Sequence, residues 1–158
     1  MNVADTALEG LELRQRMRNG LSWFYWIAGL SAVNTLAVVF QSQFRFLIGL
    51  ELTDVIGSFV GGPVASGLSL GLAGLLALFG WLSLRGHGWA ALVGIAIYLV
   101  DCGLALLGGL QGGFRVDDLI SLAFHAWALF GLITGWRALV KLQRMRGNPL
   151  AMPPSSGG

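Results

Sequence analysis

Several polar side chains lie within or beside the long apolar segments of this chain, where any chemistry would have to occur. Asp101 stands inside the apolar run 90–110 and His125 inside the run 119–139. A carboxylate in hydrocarbon costs ~2.5–3.5 kcal/mol on insertion scales, so Asp101 needs a partner or a task. The other side chains of this kind are Asn34, Tyr98, Glu51 and Asp54.

These residue types suit three kinds of site. A buried Asp beside a His can relay protons or bind a polar ligand, with Asn34, Tyr98, Asp101 and His125 as the candidates. A second set, Glu51, Asp54, Asp101 and His125, could instead bind a divalent cation such as Zn²⁺, Mn²⁺ or Fe²⁺, although the chain has no HExxH motif or repeated ExxH spacing. The third alternative is structural, because an Asp–His hydrogen bond can simply join two membrane helices.

The composition is typical of an integral membrane protein. Of the 158 residues, 55% are hydrophobic and 11% are charged, whereas soluble domains carry roughly 25% charged residues. The net charge of +2 is small, and the basic residues cluster at the edges of apolar runs, which indicates membrane topology and not nucleic-acid binding. The single cysteine, Cys102, excludes a CxxC redox pair and an internal disulfide.

The apolar runs predict an all-α integral membrane protein, a four-transmembrane-helix bundle in the lipid bilayer. The predicted spans cover residues 20–40, 63–84, 89–110 and 119–139, each about the ~20 residues needed to cross a bilayer. The segment 44–60 is apolar but carries Arg45, Glu51 and Asp54. We therefore expect it to form a short amphipathic helix on the outer side between the first two spans, either interfacial or re-entrant.

Three regions follow from this pattern: a cytoplasmic amphipathic N-terminal segment (1–19) lying at the membrane surface, a four-span membrane domain (20–140), and a basic, then disordered cytoplasmic tail (141–158). With both termini in the cytoplasm, eight of the ten Lys and Arg residues fall inside and only Arg45 and Arg115 outside. This asymmetry is what the positive-inside rule requires of a multi-pass protein of a bacterial inner membrane.

Counting residues from the predicted outer ends of the spans places Asn34, Asp101 and His125 at a similar depth. We also expect Gly67, Gly71 and Gly74 to share one face of the second span, because residues three and four apart are neighbours on a helix. Such a small-residue face permits close helix packing, either within the bundle or in a homo-oligomer.

The run WFYWIAGLSAVN (23–34), followed by FRFLIGLELTDVIG (44–57), resembles small bacterial four-span membrane proteins over residues 20–140. That resemblance implies a four-span architecture and transfers no activity, ligand or site residue.

The chain has no G-x-S-x-G motif and no P-loop, so an enzyme is not favoured, and no cofactor is predicted beyond a possible divalent metal. The first hypothesis is a non-enzymatic accessory or oligomeric structural component. A small proton-linked transporter or channel using Asp101 and His125 is the alternative, and a metal-dependent membrane enzyme is the third.

Overall fold

The structure is a computed structural model that describes residues 3–40, 60 and 62–147, and these residues form five α-helices with no strand among them. The helices are α1 (Val3–Leu21), α2 (Trp23–Val39), α3 (Gly62–Leu84), α4 (Gly88–Gly112) and α5 (Val116–Gly147). The predicted helix over 44–60, apart from residue 60, and the tail from 148 onward lie outside the described residues.

Four stretches of helix in the described part of the chain are long and apolar enough to cross a membrane. At 1.5 Å per residue, the 23 residues of α3 and the 25 residues of α4 span about 34 and 38 Å. These lengths match a hydrocarbon core of about 30 Å. The bounds of α3 and α4 agree within two residues with the predicted spans 63–84 and 89–110.

Helices α1 and α2 are nearly continuous, with a short interruption at Ser22. The Ser22 hydroxyl donates to the carbonyl oxygen of Asn19 at 2.8 Å. The amide of Tyr25 donates to the Ser22 carbonyl at 3.0 Å, and these bonds tie the two helices together across the interruption.

The α1 helix packs along the C-terminal part of α5, which covers Leu13 and Met17 but leaves Leu8 and Leu11 each 61% exposed. Leu13 is buried against Ala138 and Leu142, and Met17 packs on the same cluster. The ammonium of Lys141 donates to a carboxylate oxygen of Glu9 at 2.6 Å. The predicted N-terminal helix is therefore present, but its buried side faces α5.

Helices α3 and α4 are antiparallel because only three residues, 85–87, separate them. Gly86 adopts φ = 97°, a left-handed conformation that costs glycine little. Its amide donates to the Ser83 carbonyl at 2.9 Å, and its own carbonyl accepts from Nε2 of Gln143 at 2.6 Å. The turn is thereby attached to α5.

These contacts bring α1, the α3–α4 turn and the C-terminal part of α5 to one end of the bundle, which we call the basic end. It holds eight basic side chains of the described chain: Arg14, Arg16, Arg18, Arg85, Arg137, Lys141, Arg144 and Arg146. The other end, where α2 finishes and α3 begins, is called the opposite end.

Glycines allow the closest helix contacts. A Cβ built on Gly80 would lie 2.8 Å from Cβ of Phe24, and one on Gly94 would lie 2.6 Å from the Phe24 ring. Phe24 is fully buried, and its ring packs where Gly80 and Gly94 have no side chain. The same residue therefore fixes the relative height of α2, α3 and α4.

Helices α1 and α5 cross with backbone against backbone. A Cβ on Gly20 would lie 2.5 Å from the carbonyl oxygen of Gly131 and 2.5 Å from Cα of Gly135. Trp23 lies three residues after Gly20. The centroid of its ring lies 5.7 Å from that of Phe124 and 5.2 Å from that of Trp127. Trp23 thus packs against α5.

Candidate functional site

The buried polar site joins α4 to α5 through Asp101 and His125. Nε2 of His125 lies 3.0 Å from Oδ2 of Asp101, and the two side chains are 1% and 0% exposed. The sequence placed them at a similar depth on different spans, and the structure brings them into direct contact.

Helical periodicity explains why both side chains point inward. On α4, Asp101 shares a buried face with Gly94 and Tyr98. On α5, His125 lies on a face with Ser121, Ala128 and Leu132, and all four are buried. Each set is spaced by three or four residues, the repeat that keeps side chains on one side of a helix.

The backbone fixes one proton of the imidazole. Nδ1 of His125 lies 2.8 Å from the carbonyl oxygen of Ser121, one turn earlier in α5. A carbonyl oxygen can only accept a hydrogen bond, so Nδ1 must carry a proton and donate it. The hydroxyl of Ser121, 3.4 Å from the same nitrogen, adds a longer contact.

The contact between Nε2 of His125 and Oδ2 of Asp101 requires a single proton between these two atoms. Either Nε2 holds it, giving an imidazolium and a carboxylate, or Oδ2 holds it, giving a neutral ring and a carboxylic acid. Both arrangements have a net charge of zero. The pair can therefore be buried without the cost of an isolated charge.

The ring of Tyr98 packs on one face of the His125 imidazole and restrains it. The rings of Tyr98 and His125 stack with centroids 5.5 Å apart and an interplanar angle of 7°. Tyr98 is 1% exposed, so its ring is itself held by the core. The ring of His125 is thus fixed at both nitrogens and by stacking, which leaves it little rotational freedom.

The structure says less about the other predicted site residues. Asn34 is half-buried on α2, between the buried residues Ser31 and Thr35. Glu51 and Asp54 lie outside the described residues. The sequence could not reveal the role of the Ser121 carbonyl, because every residue has a carbonyl and only the histidine side-chain rotamer selects this one.

A metal would have to compete with the bonds already made to the imidazole. Within residues 3–40 and 62–147, no group of three or more His, Cys, Asp or Glu side chains could hold a metal ion. Both ring nitrogens of His125 are engaged, one by the Ser121 carbonyl and one by Asp101. The geometry thus offers no free imidazole lone pair unless the Asp101 contact is broken.

The predicted glycine face of the second span is exposed on α3. A Cβ built on Gly67, Gly71 or Gly74 meets nothing within 4 Å among the described atoms. Val64 and Leu78, on the same side of the helix, are 62% and 48% exposed. The side of α3 that packs within the bundle instead carries Ala65, Ser69, Ala73, Leu76, Phe79, Gly80 and Ser83.

No protein-family model, curated protein or solved structure matches this chain.

Proposed function

We propose that this protein is a non-enzymatic, multi-pass membrane protein that acts by helix packing, as an accessory or oligomeric structural component. The observation that carries the proposal is the exposed glycine face of α3, Gly67, Gly71 and Gly74, where added Cβ atoms would meet no described atom. Small residues at such positions let the backbone of a second helix approach closely, and van der Waals packing then drives association in lipid.

The Asp101–His125 pair fits the same proposal as an internal strut. Because its hydrogen bonds and the Tyr98 ring hold the imidazole in place, the pair would keep α4 and α5 together while α3 meets a neighbour. A rigid bundle presents its outer face in one conformation, which favours association since less freedom is lost on binding.

The proposed location is a bacterial inner membrane with both termini in the cytoplasm. The support is the grouping of eight basic side chains at the basic end, compared with Arg115 near the opposite end. The helices are also covered with exposed apolar side chains, among them Trp26, Val100 and Phe130, which are 58–67% exposed. Such surfaces suit lipid better than water.

Oligomeric state in lipid nanodiscs or mild detergent tests the proposal. We expect the wild-type chain to form a defined homo-oligomer and Gly71→Ile to raise its dissociation constant about tenfold or more, equivalent to ~1.4 kcal/mol. Gly29→Ile is the matched control, because Gly29 on α2 is also exposed with nothing within 4 Å. A monomeric wild-type protein, or equal effects of both substitutions, would reject the glycine face.

A second candidate function, a small proton-linked transporter or channel, is favoured by the proton between Nε2 of His125 and Oδ2 of Asp101. A buried acid–imidazole pair of this kind is a common element of proton pathways in membranes. The test is proton or solute flux in proteoliposomes, which Asp101→Asn should abolish. Absence of flux through the wild-type protein rules this candidate out.

A further inference from the structure

The two halves of the bundle differ in the types of residue that they bury. In the basic-end half, the buried residues include many large apolar side chains, among them Leu21, Phe24, Leu76, Phe79, Ile95 and Leu132, together with small residues and Ser83. In the half nearer the opposite end, the buried residues of the described helices are Ser31, Thr35, Ala65, Ser69, Ala73, Asp101, Gly109, Ser121 and His125. None of these buried residues is an apolar residue larger than alanine, and larger apolar side chains of this half that pack on the core, such as Leu72 and Phe124, are only partly buried.

Ser31 lies at the height of Asp101. Phe24 packs on Gly94, and α2 and α4 both run from the basic end to the opposite end. Seven residues further along each helix, about 10.5 Å at 1.5 Å per residue, stand Ser31 and Asp101. Both side chains are at most 1% exposed.

The hydroxyl of Ser31 is an unusual feature of this layer. Its Oγ is the one buried side-chain polar atom in the described residues without a hydrogen-bond partner. Burying a hydroxyl without a partner is unfavourable, and ordered water normally satisfies such groups. Toward the opposite end, the next buried polar residues are Thr35 on α2 and Ser69 on α3.

We propose that Asp101 and His125 form a proton-binding site that exchanges protons with water at the opposite end of the bundle only. Protons would pass through the half of the bundle nearer the opposite end, which we call the polar half. Ser31 Oγ provides a hydroxyl on this path at the height of the Asp101–His125 pair. The large apolar side chains around Phe24 close the site toward the basic end, because hydrocarbon provides no group to carry a proton.

Binding changes the charge of the pair by one. A hydronium ion at the opposite end transfers a proton to the carboxylate oxygen and becomes water, while Nε2 keeps its own proton, so the net charge of the pair rises from zero to +1. Release of the shared proton along the same path gives −1.

Among the described residues, few other titratable groups surround this site. Tyr98 stacks on the imidazole and Cys102 follows Asp101 on α4, while α3 contains no titratable side chain. Asp118, two turns before His125 on α5, accepts a hydrogen bond from the Arg115 amide at 2.9 Å near the opposite end. The Asp101–His125 pair is therefore the acid–base pair of the polar half that the experiment follows.

The two histidines of the chain provide the test and its internal control. The full-length protein is labelled with ¹⁵N-histidine and reconstituted in one orientation, which trypsin cleavage at the basic end verifies. The pH is then buffered independently on the two sides, and the ring ¹⁵N signals are recorded. We expect His125 to respond to pH at the opposite end only, and His87, exposed in the α3–α4 turn, to pH at the basic end only.

A His125 signal that follows the pH at the basic end, follows both sides equally, or changes with neither overturns the proposal. The role of Ser31 is tested separately with Ser31→Ala, which should slow the His125 response roughly tenfold. Ser83→Ala is the control, because Ser83 is a buried serine near the basic end whose hydroxyl bonds to the Phe79 carbonyl. A wild-type rate in Ser31→Ala removes Ser31 from the path.

One-sided proton exchange involves the same shared proton as the transport candidate but requires no flux. A protein with one-sided exchange and no transport would retain this site and lose the transport function. It is also independent of the glycine face, because oligomeric state and His125 titration are measured separately.

Discussion

The carbonyl oxygen of Ser121 accepts a hydrogen bond from Nδ1 of His125 at 2.8 Å, one turn away in the same helix. This contact determines the tautomer of the buried imidazole, because it requires a proton on Nδ1. The opposite nitrogen is then directed at Asp101. A local backbone bond within α5 thus orients the ring for its contact with α4.

The first prediction concerns that tautomer. In ¹⁵N spectra of histidine-labelled protein, Nδ1 of His125 should be protonated. The proton between Nε2 of His125 and Oδ2 of Asp101 should be either shared by these two atoms or held by Nε2. Asp101→Asn should leave a neutral ring with the proton on Nδ1, because the new amide can donate to Nε2. A neutral ring protonated on Nε2 alone in the wild-type protein would be inconsistent with the Ser121 bond.

The second prediction concerns the contact between α1 and α5. Gly20→Ala and Gly135→Ala should each lower the free energy of unfolding by about 1–3 kcal/mol or more, because the new Cβ would lie 2.5–2.8 Å from backbone atoms that cannot rotate away. Gly29→Ala is the control, since its Cβ meets nothing within 4 Å.

Thermal unfolding in detergent measures these effects. Gly29→Ala should stay within about 0.5 kcal/mol of the wild-type protein. If Gly20→Ala is equally neutral, the backbones of α1 and α5 are further apart than the structure has them.

The third prediction concerns the docking of α1 on the end of α5. Leu142→Ala removes a buried side chain beneath Leu13 and should cost about 2–5 kcal/mol locally. Lys141→Ala removes an exposed ion pair with Glu9 and should cost at most about 1 kcal/mol. We therefore expect apolar contacts to contribute most of this docking and the ion pair to contribute little.

Limited trypsin digestion distinguishes the two variants, because α1 carries Arg14, Arg16 and Arg18. Cleavage at these arginines should become faster in Leu142→Ala and remain close to wild type in Lys141→Ala. Protection that is unchanged in Leu142→Ala would favour α1 being held by the membrane surface instead.

Much of the fold could be predicted from the sequence because long apolar helices have a strong signal. Runs of about 20 apolar residues fixed α3 and α4 to within two residues, and helical periodicity placed Asp101 and His125 on inward faces. Depth counting placed those two residues at one level, because the rise per residue is constant.

Other features could not be predicted because they depend on tertiary contacts. The polarity of residues 1–19 is equally compatible with a membrane surface and with another helix, and the sequence alone does not show that Leu13 packs on α5. Likewise, Gly67, Gly71 and Gly74 look like a packing ridge in sequence, whereas Phe24 selects Gly80 and Gly94 within the bundle. Glycine spacing identifies a possible contact face and not its partner.

The site was only partly predictable for the same reason. Residue types indicated an acid and an imidazole, but not whether they meet or which proton lies between them. The stacking of Tyr98 and the Ser121 carbonyl bond both depend on the rotamer of His125. Rotamers of this kind are set by packing, which the sequence of one helix does not contain.

We expect Asp101 and His125 to act together in holding α4 against α5, and a double-mutant cycle on unfolding in detergent tests this claim most directly. The cycle compares Asp101→Leu, His125→Leu and the double variant. Hydrogen bonds between membrane helices average ~0.6 kcal/mol and reach ~1.7 kcal/mol, and we predict a coupling of about 1 kcal/mol because both partners are buried and charge-balanced. A coupling indistinguishable from zero would contradict the claim.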